Sequence, residues 1–263
     1  MKQIRFLLAV LMAFVFTTRA WAQTNEAYAV LSTDGTTLTF YYDEMKETRE
    51  GTAYPIPWEG YNPGWKSDDN PTITTVDFDD SFDNYHGLTT ARYMFDGQKV
   101  LTTINHIERL HTEHVTTMYG MFAYCYKLRE LDLSSFDTSN VTDMGIMFKE
   151  CKELASLDVS NFNTASVTNM FYMFNACKTL KSLNLTSFNT LEVEKMEHMF
   201  DYCISLTTIY CNDDWSKGKV QHSGSMFDRC SFPPHPNLPC PNHKFRCISS
   251  SADSNMAPTT TTP

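Results

Sequence analysis

The middle of the chain repeats itself every 26 residues, and this constrains its fold more than any other feature. With each unit started at a valine, the sequence reads VTTMYGMFAYCYKLRELDLSSFDTSN from Val115, VTDMGIMFKECKELASLDVSNFNTAS from Val141 and VTNMFYMFNACKTLKSLNLTSFNTLE from Val167. A fourth unit from Val193 runs one residue longer and loses the pattern in its second half, while Met94-Phe95 and Met226-Phe227 carry the register outward on both sides. Self-similarity at a fixed period of this size marks a stacked repeat architecture. A unit this short has no interior of its own and buries its apolar face only against its neighbours.

The two halves of a unit have different periodicities. Val141, Met144, Met147, Phe148 and Cys151 fall at intervals of three, three, one and three, the spacing of one face of a short helix or of consecutive helical turns. Leu157, Val159 and their polar neighbours alternate with period two, as a strand with one buried face does. Ser160-Asn161 and Asn163-Thr164 supply turn chemistry between the halves. The predicted unit is one strand, one turn and one short helix, so that identical side chains form ladders and strands pair in parallel on one face of the stack.

These residues carry a resemblance. The repeated V-T-x-M-x-x-M-F-x-x-C-x-x-L-x-x-L-x-L-x-x-F, at Val115–Phe136, Val141–Phe162 and Val167–Phe188 and partly at Val193–Ile209, resembles the BspA-like leucine-rich-repeat surface proteins of bacteria. The resemblance implies a secreted or surface protein, with some members binding host matrix proteins or other bacteria. It supplies no fixed binding motif to carry over. The predicted fold class is accordingly an α/β repeat solenoid: a right-handed leucine-rich-repeat-like stack with parallel strands on one face, short helices on the other, and an N-terminal β-hairpin cap.

The flanks divide the rest. Lys2 and Arg5, the apolar run Phe6–Phe16, Arg19 and Ala20-Trp21-Ala22 read as a secretory signal peptide over residues 1–22, its apolar run too short to span the roughly 30 Å of a bilayer's hydrocarbon core. Residues 23–71 read as a cap: Ala27–Tyr42 alternates around Ser32-Thr33-Asp34-Gly35 as a β-hairpin, and residues 43–71 read as an ordered loop. The stack is expected over 72–230, with divergent strands around Val76 and Ile104 and regular coils over 115–219. After Cys230, Pro233, Pro234, Pro236, Pro239 and Pro241 replace the leucine pattern and remove ladder donors. Residues 231–263 are therefore expected to be irregular or disordered, with a frame-shifted or truncated end as an alternative reading.

Charge and cysteine usage narrow the function. The formal net charge is −10, and removing Lys2, Arg5 and Arg19 with the signal peptide lowers it to −13. Nucleic acid is thereby an unsuitable partner, since a phosphate-binding face needs clustered Lys and Arg. Cys125, Cys151, Cys177 and Cys203 recur once per unit at an apolar position and are expected to be buried, unpaired thiols in a ladder beside that of Phe122, Phe148, Phe174 and Phe200. Cys240 and Cys247 are candidates to pair with each other, with Cys211 or Cys230 as alternative partners.

The candidate binding face consists of the outward strand positions Glu130, Asp132 and Ser134, then Ser156, Asp158 and Ser160, then Ser182, Asn184 and Thr186, then Thr208, Tyr210 and Asn212. Stacking turns them into three polar columns of the kind through which repeat proteins bind. Within NHIERLHTEH, the residues His106, Glu108, His111, Glu113 and His114 crowd together, but H-E-x-x-H is absent and no third ligand is identifiable, so no metal is expected. Asp77, Asp79, Asp80 and Asp83 lack the glycine and terminal glutamate of a calcium loop. No nucleophile elbow or phosphate-binding glycine loop appears, and no enzyme activity and no cofactor are expected. The expected partner is a protein or glycan on a host or neighbouring cell, met by a secreted or surface-exposed chain with no transmembrane segment after cleavage. The alternative is a structural element that self-associates end to end.

Overall fold

The computed structural model describes residues 24–56, 63–66, 72–212, 219 and 221–230. The expected signal peptide and the expected irregular tail lie outside them. Strand β1 (Glu26–Leu31) pairs antiparallel with β2 (Thr37–Asp43), with Ala29 opposite Phe40. The turn between them is closed by Asp34, whose carboxylate accepts from the Thr36 amide at 3.0 Å and from the Ser32 hydroxyl at 2.6 Å. β3 (Thr52–Pro55) adds antiparallel to the other edge of β1, within a segment expected to be a loop. β2 then pairs in parallel with β4 (Thr75–Phe78), and β4 with β5 (Thr103–Asn105). The result is one mixed five-stranded sheet in the order β3-β1-β2-β4-β5.

Phe40 fastens this sheet to the first coils of the stack. Its ring stacks on Phe78 at 4.7 Å and meets Trp65, Phe82 and Phe95 edge-on at 5.5, 5.7 and 6.1 Å. The buried Trp65 indole donates to the Met94 carbonyl at 2.9 Å. The expected hairpin is present over β1 and β2. It is continuous with those coils by backbone pairing and by aromatic contact.

The expected α/β solenoid does not form. No α-helix occurs among the described residues, and helical structure is limited to 3-10 turns at Lys46–Thr48, Asp80–Asn84 and Ile107–Arg109. Nor does a continuous parallel face close along the repeats: among the described residues outside the five-stranded sheet, the only paired strands are β6 (Ser182–Leu185) and β7 (Thr208–Cys211), with Leu183 opposite Ile209 and Leu185 opposite Cys211. The corresponding segments around Asp132 and Asp158 keep an alternation of exposed and buried residues without pairing as strands.

The backbone shows why no helix forms. The residue before each Met-Phe pair is left-handed, at Tyr93, Gly120, Ile146, Tyr172, His198 and Ser225, and so is the second residue after each pair, at Gly97, Tyr124, Glu150, Ala176, Tyr202 and Arg229. Left-handed residues do not continue a right-handed helix. Amide donors are shared out accordingly. Those of Met144, Ile146, Phe148 and Glu150 reach the carbonyls of Asn169, Phe171, Met173 and Asn175 in the next repeat, while those of Met147, Lys149 and Cys151 close turns onto Met144, Ile146 and Phe148. Every second N–H leaves the unit, so an i→i−4 ladder has no donors left to complete it. Parallel bridges Thr117–Asp143–Asn169–Lys195–His222 extend the same register.

Side chains follow the backbone register. The Phe122, Phe148, Phe174 and Phe200 rings stack in sequence at 5.6–5.7 Å and within 7° of parallel, an arrangement that buries each ring on both faces. Thr112, Thr138 and Thr164, nearly inaccessible, each bridge two repeats. The Thr138 hydroxyl donates to the Asn163 carbonyl at 3.0 Å and accepts from the Asn163 amide at 2.8 Å.

Candidate functional site

The polar columns face solvent, as the alternation predicts. Glu130, Asp132, Ser134, Ser156, Asp158, Ser160, Ser182, Asn184, Thr186 and Tyr210 are exposed, and Thr208 and Asn212 are half-buried. Much of their polarity is turned inward on the chain, however. Asp132 accepts from the Ser134 amide and Asp158 from the Ser160 amide, both at 2.9 Å, and Asn184 accepts from Thr186 at 3.1 Å. These are turns closed by an Asp or Asn side chain two residues upstream. The Ser134 and Ser160 donors hold the Asp132 and Asp158 carboxyls below the usual carboxylate range. The Asn212 amide clamps the Thr186 and Phe188 carbonyls of the preceding repeat. The columns are thus the visible edge of the device that ends each extended segment.

The cysteines are structural. Cys125, Cys151, Cys177 and Cys203 are unbonded thiols in the core, and each donates to the carbonyl of a phenylalanine one repeat back, as Cys151 does to Phe122 at 3.2 Å. Burial pushes all four thiols well above their ordinary range, which suppresses the reactive thiolate. Cys211 is disulfide-bonded. Cys240 and Cys247 lie outside the described residues.

The histidine-rich segment separates into two places. His106 pairs with Asp77 at 2.8 Å. His111 and Glu113 instead meet His86, one repeat upstream: the His86 and His111 rings stack at 4.1 Å, and His86 Nδ1 lies 2.7 Å from Glu113 Oε1. Burial raises the Glu113 carboxyl, but the His86 hydrogen bond and the two neighbouring imidazoles outweigh it and leave the group below its ordinary range. The aspartates disperse as well. Asp79 caps the turn at Ser81, Asp80 pairs with Arg109, and the Asp83 carbonyl faces His111.

A second, largely half-buried strip of cations and rings arises on the turn side, which periodicity did not mark. Lys149 lies over the Tyr124 and Tyr172 rings, Lys152 over Tyr126, Arg92 over Tyr119 and Arg229 over Tyr202, and Tyr172 stacks on His198 at 4.4 Å. Its members sit at or within two residues of the left-handed positions. The only sequence signal was the recurrence of aromatic residues before and after Met-Phe.

No helix among the described residues is long and apolar enough to cross a membrane. No curated protein and no solved structure matches the chain. A family model described as "Mycoplasma protein of unknown function, DUF285" matches residues 76–156 and 132–234, which together take in the repeats, the shared turn ladder and more than half of the sequence. The chain belongs to the DUF285 family.

Proposed function

We propose that this protein is a non-enzymatic binding protein of the BspA-like kind, secreted or displayed at a bacterial surface, that engages a protein or glycan on a host or neighbouring cell. DUF285 domains are found in BspA-like surface proteins, and the repeated motif resembles theirs. The observation that carries the reading is the exposure of the same outward positions, from Glu130 to Tyr210, in successive repeats. Such a surface offers one partner the same few side chains several times over, which suits recognition by accumulated weak contacts more than convergence of unlike groups on one reacting atom.

The test is a binding screen of the purified protein against matrix proteins and glycans, with Asp132→Asn and Asp158→Asn as probes of the face, since the side-chain oxygen of Asn184 accepts the equivalent turn bond without a charge. A saturable partner whose affinity falls at least tenfold in the double variant, with the melting temperature unchanged, supports the reading. Absence of any saturable partner, or full affinity in the double variant, overturns it.

A further inference from the structure

We propose that His86, His111 and Glu113 form a binding site for a divalent transition-metal ion of the zinc class, joining two successive repeats. Each residue offers one ligand atom, and these atoms lie within 4.8 Å of one another. The set is assembled by the fold. His86 follows the 3-10 turn Asp80–Asn84, and His111 and Glu113 follow the turn Ile107–Arg109 one repeat later. Stacking brings them into register, which is why the third ligand is invisible within NHIERLHTEH itself.

The donor set and its surroundings fit such an ion. Two imidazoles and a carboxylate suit zinc, cobalt, nickel or copper better than the hard, all-oxygen preference of magnesium or calcium. His111 Nε2 sits 2.8 Å from the Asp83 carbonyl. A proton donated to that carbonyl fixes the tautomer that leaves Nδ1 as the electron-pair donor, the outer support that metal-ligating histidines ordinarily have. His86 Nδ1 already faces Glu113 Oε1; binding there places the ring proton on the outer nitrogen.

Metal–ligand bonds of about 2.0–2.2 Å in a tetrahedral arrangement set ligand atoms roughly 3.3–3.5 Å apart. The 2.7 Å His86–Glu113 contact therefore opens by less than an ångström, and wider separations close by a little over one. The required motion falls on side chains with room to rotate: His86 is 57% exposed, Glu113 34% and His111 26%. That exposure leaves the remaining coordination position to water.

The experiment is a Co²⁺ titration of the chelator-stripped full chain, followed by ligand-field absorption, with Zn²⁺ competition and a thermal melt. The expected result is one equivalent bound, a rise in melting temperature with Zn²⁺, and a loss of affinity of at least tenfold in His86→Ala and in Glu113→Gln, with His222→Ala unchanged. His86 is the most exposed of the three, so its substitution is expected to leave the fold intact, which the thermal melt checks, and His111→Ala adds a second imidazole deletion. Unchanged Co²⁺ affinity in His86→Ala and His111→Ala would place the ion elsewhere, as on His235, His243 or the cysteines after residue 230, and overturn the proposal. Absence of binding at millimolar Co²⁺ overturns it as well.

Discussion

Residues 26–105 and residues 115–212 both bury phenylalanines among aliphatic side chains, yet they are tied together differently. In the first region, paired strands satisfy the backbone, and one ring, Phe40, gathers unlike aromatic partners around it. In the second, regular pairing is confined to β6 and β7. Order there comes from identity: each phenylalanine stacks on its own copy in the next repeat, and each cysteine and threonine bonds the same backbone group of a neighbouring repeat. Repetition substitutes for regular secondary structure, because a contact that fits once fits again one repeat later.

The widest gap between the regions is expected at alkaline pH. The four buried thiols stay neutral in the fold, whereas in the unfolded chain they titrate near about 8.5. A group whose folded pKa is raised contributes stability that is whole below its unfolded pKa and is lost as pH rises above it. One pH unit above that value costs about 1.4 kcal/mol per thiol, roughly 5–6 kcal/mol for all four. Residues 26–105 contain no cysteine. Limited proteolysis at that pH is expected to cut within 115–212 first, and a variant with alanine at the four positions loses the pH dependence in urea unfolding.

Phe148→Ala tests the ring ladder by removing a side chain stacked on both faces, at an expected cost of about 3–5 kcal/mol in urea unfolding. Cleavage again appears in the repeats before the five-stranded sheet. Thr138→Val removes the hydroxyl that satisfies both backbone groups of Asn163, and is expected to cost about 1–3 kcal/mol. Thr138→Ser, which keeps the hydroxyl, costs less.

The strand-like half of each repeat was legible, since a period of two admits one reading of which side faces water, and the exposed columns follow it. The turn half was not. Val141, Met144, Met147 and Cys151 are spaced alike on a helix and on consecutive turns, and the distinction lies in backbone angles at Ile146 and Glu150, residue types that give no hint of a left-handed conformation. Thr138 and Thr164 recur visibly three residues before each valine, but their role appears only when the neighbouring carbonyl is in place. β3 was hidden in a segment rich in glycine and proline, and its pairing is decided by the free edge of β1 more than by its own four residues. His86 was missed because its partners lie a full repeat away.

The central claim, that the expected helices are ladders of left-handed turns, is tested most directly at Gly97. Its φ is +77°, and an added methyl group would meet only the Lys66 side chain, at 3.4 Å. The effect of Gly97→Ala on urea unfolding is therefore set by backbone conformation, with little contribution from crowding. A left-handed position predicts destabilisation by about 1–2 kcal/mol. A helical one predicts stabilisation by about 1 kcal/mol, and that opposite sign would contradict the account.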